Sequence, residues 1–165
     1  MHFEWKGIFP ALTTPFTAND ELDLPLFEKS LAAQLEAGVD GIVLGGSLGE
    51  ASTLTTAEKA ELVNSGIKVM GGKIPIVMNI AEGSTNEALK QVMFAESWGV
   101  QGLMLLPPMR YKADERETVI FFKTIADATD LPIMLYNNPV DYKIEITPGM
   151  FDELQSCKNI TAVKE

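Results

Sequence analysis

Short apolar runs alternate with longer amphipathic stretches along this chain. The runs "GIFPAL" (7–12), "GIVLGG" (41–46), "IPIVMNI" (74–80), "GLMLLPP" (102–108), "LPIMLYNNP" (131–139) and "ITAVKE" (160–165) predict six strands. They are nearly continuous in apolar residues rather than alternating, as parallel strands covered on both faces should be. Between them, spacing predicts helices over about 24–36, 56–69, 85–98, 114–128 and 147–154. Thr55 with Glu58, and Ser84 with Glu87, have capping-box spacing, and Gly38 and Gly99 stand where helices should stop.

The strands recur roughly every 30 residues, the size of a βα repeat. Five such units and a sixth strand fit either a doubly wound open sheet or a (β/α)₈ barrel. A complete barrel takes ~250 residues, so at 165 residues it is truncated after the sixth strand. No G-x-G-x-x-G turn follows the first strand to favour a dinucleotide fold. No linker or low-complexity segment interrupts the series, so residues 1–165 read as part of a single α/β domain.

Composition narrows the chemistry. The chain is 46% hydrophobic and 22% charged, within the soluble globular range. No segment approaches the ~20 apolar residues of a membrane span, and "MHFEWKGIFP" lacks the basic start and apolar core of a signal peptide. A cytoplasmic protein with no membrane partner is expected. Its formal charge of -10, from 23 acidic and 13 basic residues, repels a phosphate backbone and argues against nucleic acid. The only histidine is His2 and the only cysteine Cys157. This stretch therefore holds no Ser-His-Asp triad, no His-ligated zinc and no disulfide framework. Its chemistry falls to Lys, Tyr, Ser/Thr, carboxylates or backbone amides.

In both candidate architectures, reactive groups gather beyond the C-terminal ends of the strands. After the second predicted strand comes "GGSLGEAS" (45–52), with Ser47 among closely spaced glycines. It reads either as a tight turn needing positive φ or as an anion nest for a small carboxylate. After the fifth comes "LYNNP", where Tyr136 either packs its ring and wets its hydroxyl or shuttles protons. At the end of the sixth stands Lys164. It is either a solvated cap or an amine kept neutral by desolvation, ready to attack a carbonyl and form a Schiff base. Together the three tips suit a 2-oxo acid: the nest holds its carboxylate, Lys164 attacks its keto carbon, and Tyr136 relays protons through Ser47.

With these residues in place, the chain resembles the dihydrodipicolinate synthase and N-acetylneuraminate lyase superfamily of class I aldolase-like barrels. The resemblance runs from "GIFPALTTPF" through "GGSLGEASTLT" and "LYNNP" to "AVKE". It implies a TIM barrel that continues for two further βα units and a C-terminal extension. It also implies a homotetramer or dimer of dimers and a metal-independent lyase needing no cofactor. In site residues it implies Lys164 as nucleophile, Tyr136 as acid/base, and Gly46, Ser47 and Leu48 as the carboxylate-binding turn. Leu48 stands where the family turn has a second hydroxyl. Met109 stands where the synthases carry a tyrosine that reaches a neighbouring subunit's proton relay. Asp141 stands where they carry an arginine for a second substrate's carboxylate. "YNNPVDYKIEITP" is more similar to catabolic branches, including the deaminase of 1-pyrroline-4-hydroxy-2-carboxylate. A relative that binds a 2-oxo acid without turnover is the other expectation these departures allow.

Overall fold

A computed structural model describes residues 3–108 and 111–165. Five strands form one parallel sheet in simple chain order: β1 (Ile42–Leu44), β2 (Ile76–Ile80), β3 (Gly102–Leu105), β4 (Ile133–Tyr136) and β5 (Ile160–Lys164). The helices are α1 (Leu24–Glu36), α2 (Thr56–Met70), α3 (Thr85–Trp98), α4 (Glu115–Ala126), α5 (Pro139–Tyr142) and α6 (Pro148–Leu154). Each strand pairs with the next in the chain, which is the order of strands around a barrel rather than in a doubly wound sheet.

The helices begin where side chains satisfy their first N–H groups. Thr55 accepts from Glu58 N while the Glu58 carboxylate takes the Thr55 N–H, closing a full capping box. Asp114 and Glu117 do the same for α4. Ser84 accepts from Glu87 N at 3.3 Å. Each such cap stabilises a helix start by ~1 kcal/mol. Gly99 ends α3 in the left-handed conformation, and Gly38, at φ +78 just past the Ala37 cap, closes α1, its N–H donating to Leu35 O and that of Val39 to Gln34 O.

The expected first strand is reduced to one parallel bridge, Ala11 to Val43. Leu12 N donates to Val43 O and Val43 N to Pro10 O, but Pro10 has no N–H with which to extend the ladder. A short helix, α5, follows β4 where the spacing predicts no helix.

Apolar side chains pack on both faces of the sheet. The larger cluster lies between sheet and helices and includes Phe27, Leu31, Ile42, Leu44, Leu103 and Phe122. On the opposite face Val43, Val77 and Met104 are covered by Met134, Tyr136 and the N-terminal aromatics Phe3, Trp5 and Phe9. Trp5 Nε1 donates to Thr161 Oγ1 at 2.9 Å, tying that segment to β5. No helix among the described residues is long and apolar enough to cross a membrane.

Candidate active site

The tips of β1, β4 and β5 bring three predicted residues to the same end of the sheet. Tyr136 and Lys164 are register partners on adjacent strands, so their side chains leave the sheet on one face. Lys164 Nζ lies 4.2 Å from the centroid of the Tyr136 ring. The ring thus presents its electron-rich face to the amine. Lys164 also lines a cavity of ≈ 370 Å³ with Trp5, Phe9, Met104 and Met134 on the inner face of the sheet.

The two asparagines after Tyr136 fix this corner. Asn137 is buried: its N–H donates to Lys164 O at 2.8 Å, and its Oδ1 accepts from Ile146 N at 2.9 Å. Its Nδ2 reaches both Glu165 carboxylate oxygens, at 3.1 and 3.2 Å. Asn138 caps α5, accepting from Asp141 N at 3.3 Å, with Pro139 preset for the first helical turn. Asn138 Nδ2 also donates to Tyr136 Oη at 3.1 Å and to the Asp141 carboxylate at 2.7 Å. Asp141 is therefore held at the rim by Asn138.

The turn after β1 is built to approach other chain segments closely. Gly45 sits at φ +61, and its carbonyl accepts from the buried Asn79 Nδ2 at 2.8 Å. Gly46 precedes a single 3₁₀ turn, Ser47–Gly49. A Cβ on Gly49 would lie 2.7 Å from Leu12 O, so only glycine fits there without moving backbone. Thr14 Oγ1 donates to Gly49 O at 2.8 Å and pins the turn from the other side. At the start of a 3₁₀ turn the N–H groups of Ser47 and Leu48 have no partner within the turn. The Leu48 side chain is 76% exposed. Asn79 Oδ1 has no hydrogen-bond partner among the described residues.

The Ser47 hydroxyl meets Tyr142 Oη, not Tyr136 Oη. Tyr142, at the end of α5, stands edge-on to the Tyr136 ring, with centroids 5.7 Å apart and planes at 80°. It closes a small cavity of ≈ 150 Å³ with Ser47, Ala51, Ser52, Ala81 and Leu106. Lys164, Tyr136, Tyr142 and Ser47 thus form one continuous line of contacts. Sequence reasoning passes over Tyr142. Its only local signal is Asn138-Pro139-x-Asp141, a helix start that turns the chain back toward Ser47.

Other expected residues are less informative. Met109 lies outside the described residues. Cys157 is a buried free thiol packed in the outer cluster. Among the described residues no group of three His, Cys, Asp or Glu side chains is arranged to hold a metal ion.

The model of the dihydrodipicolinate synthetase family matches residues 4–165. The chain is 37% identical over 161 residues to a 4-hydroxy-tetrahydrodipicolinate synthase of Exiguobacterium sibiricum, covering 98% of this chain and 55% of that protein. It is 34% identical over 162 residues to an uncharacterized DapA-like lyase of Rhizobium meliloti, covering 98% and 54%. A crystal structure of YagE, a prophage protein of the dihydrodipicolinic acid synthase family from E. coli K12 in complex with pyruvate, superposes with TM-score 0.92. That match has 29% identity and covers 98% of this chain and 54% of YagE. The chain spans about half the length of the curated relatives it matches. With its parallel sheet, its strand-tip lysine and tyrosine and these matches, the chain belongs to the dihydrodipicolinate synthetase family.

Proposed function

We propose that this chain carries the Schiff-base half of a lyase or hydro-lyase acting on a small 2-oxo acid of pyruvate type or on its cyclic imine. One observation carries the reading: the Lys164 amine at the tip of β5 sits over the Tyr136 ring, 4.2 Å from its centroid. The neutral amine adds to the keto carbon, and the resulting carbinolamine takes up a proton from solvent and loses water, leaving a cationic imine in the place of the amine. A ring face stabilises that cation by ~0.5–2 kcal/mol, depending on how far water is excluded. The imine then draws electrons from the adjacent carbon and makes its proton or its carbon–carbon bond labile. The Ser47 turn is suited to orient the carboxylate, with the N–H groups of Ser47 and Leu48 as donors and Gly46 leaving room for approach. On this reading Tyr136 serves as acid/base toward the leaving group.

Asp141 at the rim favours a catabolic member of the family over a synthase. A carboxylate there repels a second anionic substrate, so an uncharged partner or a cyclic imine, as in a 1-pyrroline-4-hydroxy-2-carboxylate deaminase, suits the site better. Within the same proposal, the chain is part of one TIM-barrel domain of a cytoplasmic homo-oligomer and needs no metal.

Incubation of the protein, expressed from its complete coding sequence, with pyruvate and borohydride tests this reading. A reduced covalent adduct is expected. No adduct with pyruvate or any related 2-oxo acid would leave a binding-only relative as the better description.

A further inference from the structure

We infer that Tyr142 is the positioning residue of the proton relay, holding and reprotonating the Ser47 hydroxyl so that the pair, rather than Ser47 with Tyr136, carries protons between the site and solvent. The inference rests on the Schiff-base reading above and adds to it a residue and a route.

Three observations support it. The first is that Ser47 Oγ and Tyr142 Oη are in direct hydrogen-bond contact across a sequence separation of 95 residues. The second is that the Tyr136 hydroxyl is engaged elsewhere, accepting from Asn138 Nδ2 at 3.1 Å. The third is burial: Ser47 is exposed and Tyr142 half-buried, so their cavity joins the strand tips to water. Tyr142 is also held firmly enough to act. Its helix is capped by Asn138 and led by Pro139, and its ring stands against Tyr136. The next residue, Lys143, adopts φ +61 and donates through Nζ to Val140 O, closing the helix just past the tyrosine.

The proton balance is simple. After the imine forms at Lys164, the neighbouring carbon gives up a proton, and its C–H electron pair becomes the enamine double bond. That shift neutralises the imine nitrogen. Ser47 receives the proton as it passes its own to Tyr142, and Tyr142 releases one to water. Both side chains end the step neutral, and one proton has moved to solvent.

Two readings on one sample test this: borohydride trapping with pyruvate, and deuterium exchange into the pyruvate methyl group in D₂O followed by proton NMR. Tyr142→Phe should trap pyruvate within about twofold of wild type while its exchange falls by roughly 10- to 100-fold, the lower range for a lost acid–base group. Ser47→Ala should fall comparably. The double variant should be no slower than Ser47→Ala, because the two groups act as one unit. Wild-type exchange in Tyr142→Phe with trapping intact overturns the inference, as does a double variant whose loss is the product of the single losses. If Tyr142→Phe does not fold by thermal melting, Ser47→Ala decides, and wild-type exchange in that variant is equally fatal. Wild-type protein that does not trap pyruvate removes the Schiff-base reading and this inference with it.

Discussion

Lys164 Nζ lies over the face of the Tyr136 ring, 4.2 Å from its centroid, because the two residues are register partners on β5 and β4. The hydroxyl of the same tyrosine points to Asn138 instead. One side chain thus divides its tasks, its ring serving the nitrogen and its oxygen bonded at the rim.

Two substitutions separate those tasks. Tyr136→Phe keeps the ring face and should form the trapped adduct within about threefold of the wild-type rate, with methyl-proton exchange slowed no further than trapping. Tyr136→Leu removes the ring, and trapping itself should slow by roughly 5- to 30-fold, the equivalent of ~1–2 kcal/mol of cation–π stabilisation. Stopped reactions resolved by intact mass measure both rates. Equal trapping by the two variants contradicts a role for the ring.

A second relationship supports the loop opposite Ser47. Lys59 of α2 is buried and donates to Glu82 at 2.9 Å, with Glu82 next to Ala81 in the cavity wall. Glu82→Ala leaves a buried ammonium without its partner. Because Glu82 is partly exposed, the expected cost is about 2–3 kcal/mol, below the ~3–5 of a fully buried pair. Lys59→Met removes the buried charge itself and should cost less. Urea unfolding of both variants checks the order, and a more damaging Lys59→Met reverses it.

Acid should weaken the start of α2. The two hydrogen bonds from Thr55, side chain first and backbone second, hold the Glu58 carboxyl below its ordinary 4.5, with a small opposing effect of burial. A carboxyl depressed in the folded state contributes stability that is present above its unfolded value and lost as pH falls through its folded value. Part of the stability should therefore disappear below about pH 4.5. Glu58 is only half-buried, at a helix start on the surface, so the contribution is small. Glu58→Gln should flatten that portion of the urea midpoint against pH. An unchanged slope would show that the capping box makes no titratable contribution.

The strands were legible because nearly every residue in them is apolar, as in "IVMNI" and "GLML", and the helix starts because Thr55 and Ser84 carry capping spacing. The strand expected at 7–12 was overstated, since apolar content hides the missing donor of Pro10. Helix α5 was missed because Asn-Pro reads as a turn, and the same two residues serve as helix cap and first turn. The site was legible as far as strand tips specify it: Ser47, Tyr136 and Lys164 share one end of the sheet. The partnership of Ser47 with Tyr142 was not, because it is made across 95 residues by a four-residue helix. Nor could local pattern reveal that Asn79 holds Gly45, since an asparagine within an apolar strand has no periodicity of its own.

The central claim is that the amine of Lys164, and no other, forms the Schiff base. Reduction with borohydride in the presence of pyruvate, followed by peptide mapping, measures this directly. The account predicts one modified peptide with the adduct on Lys164, and no adduct in Lys164→Met of unchanged thermal stability. An adduct on another lysine, or an undiminished adduct in Lys164→Met, would contradict it.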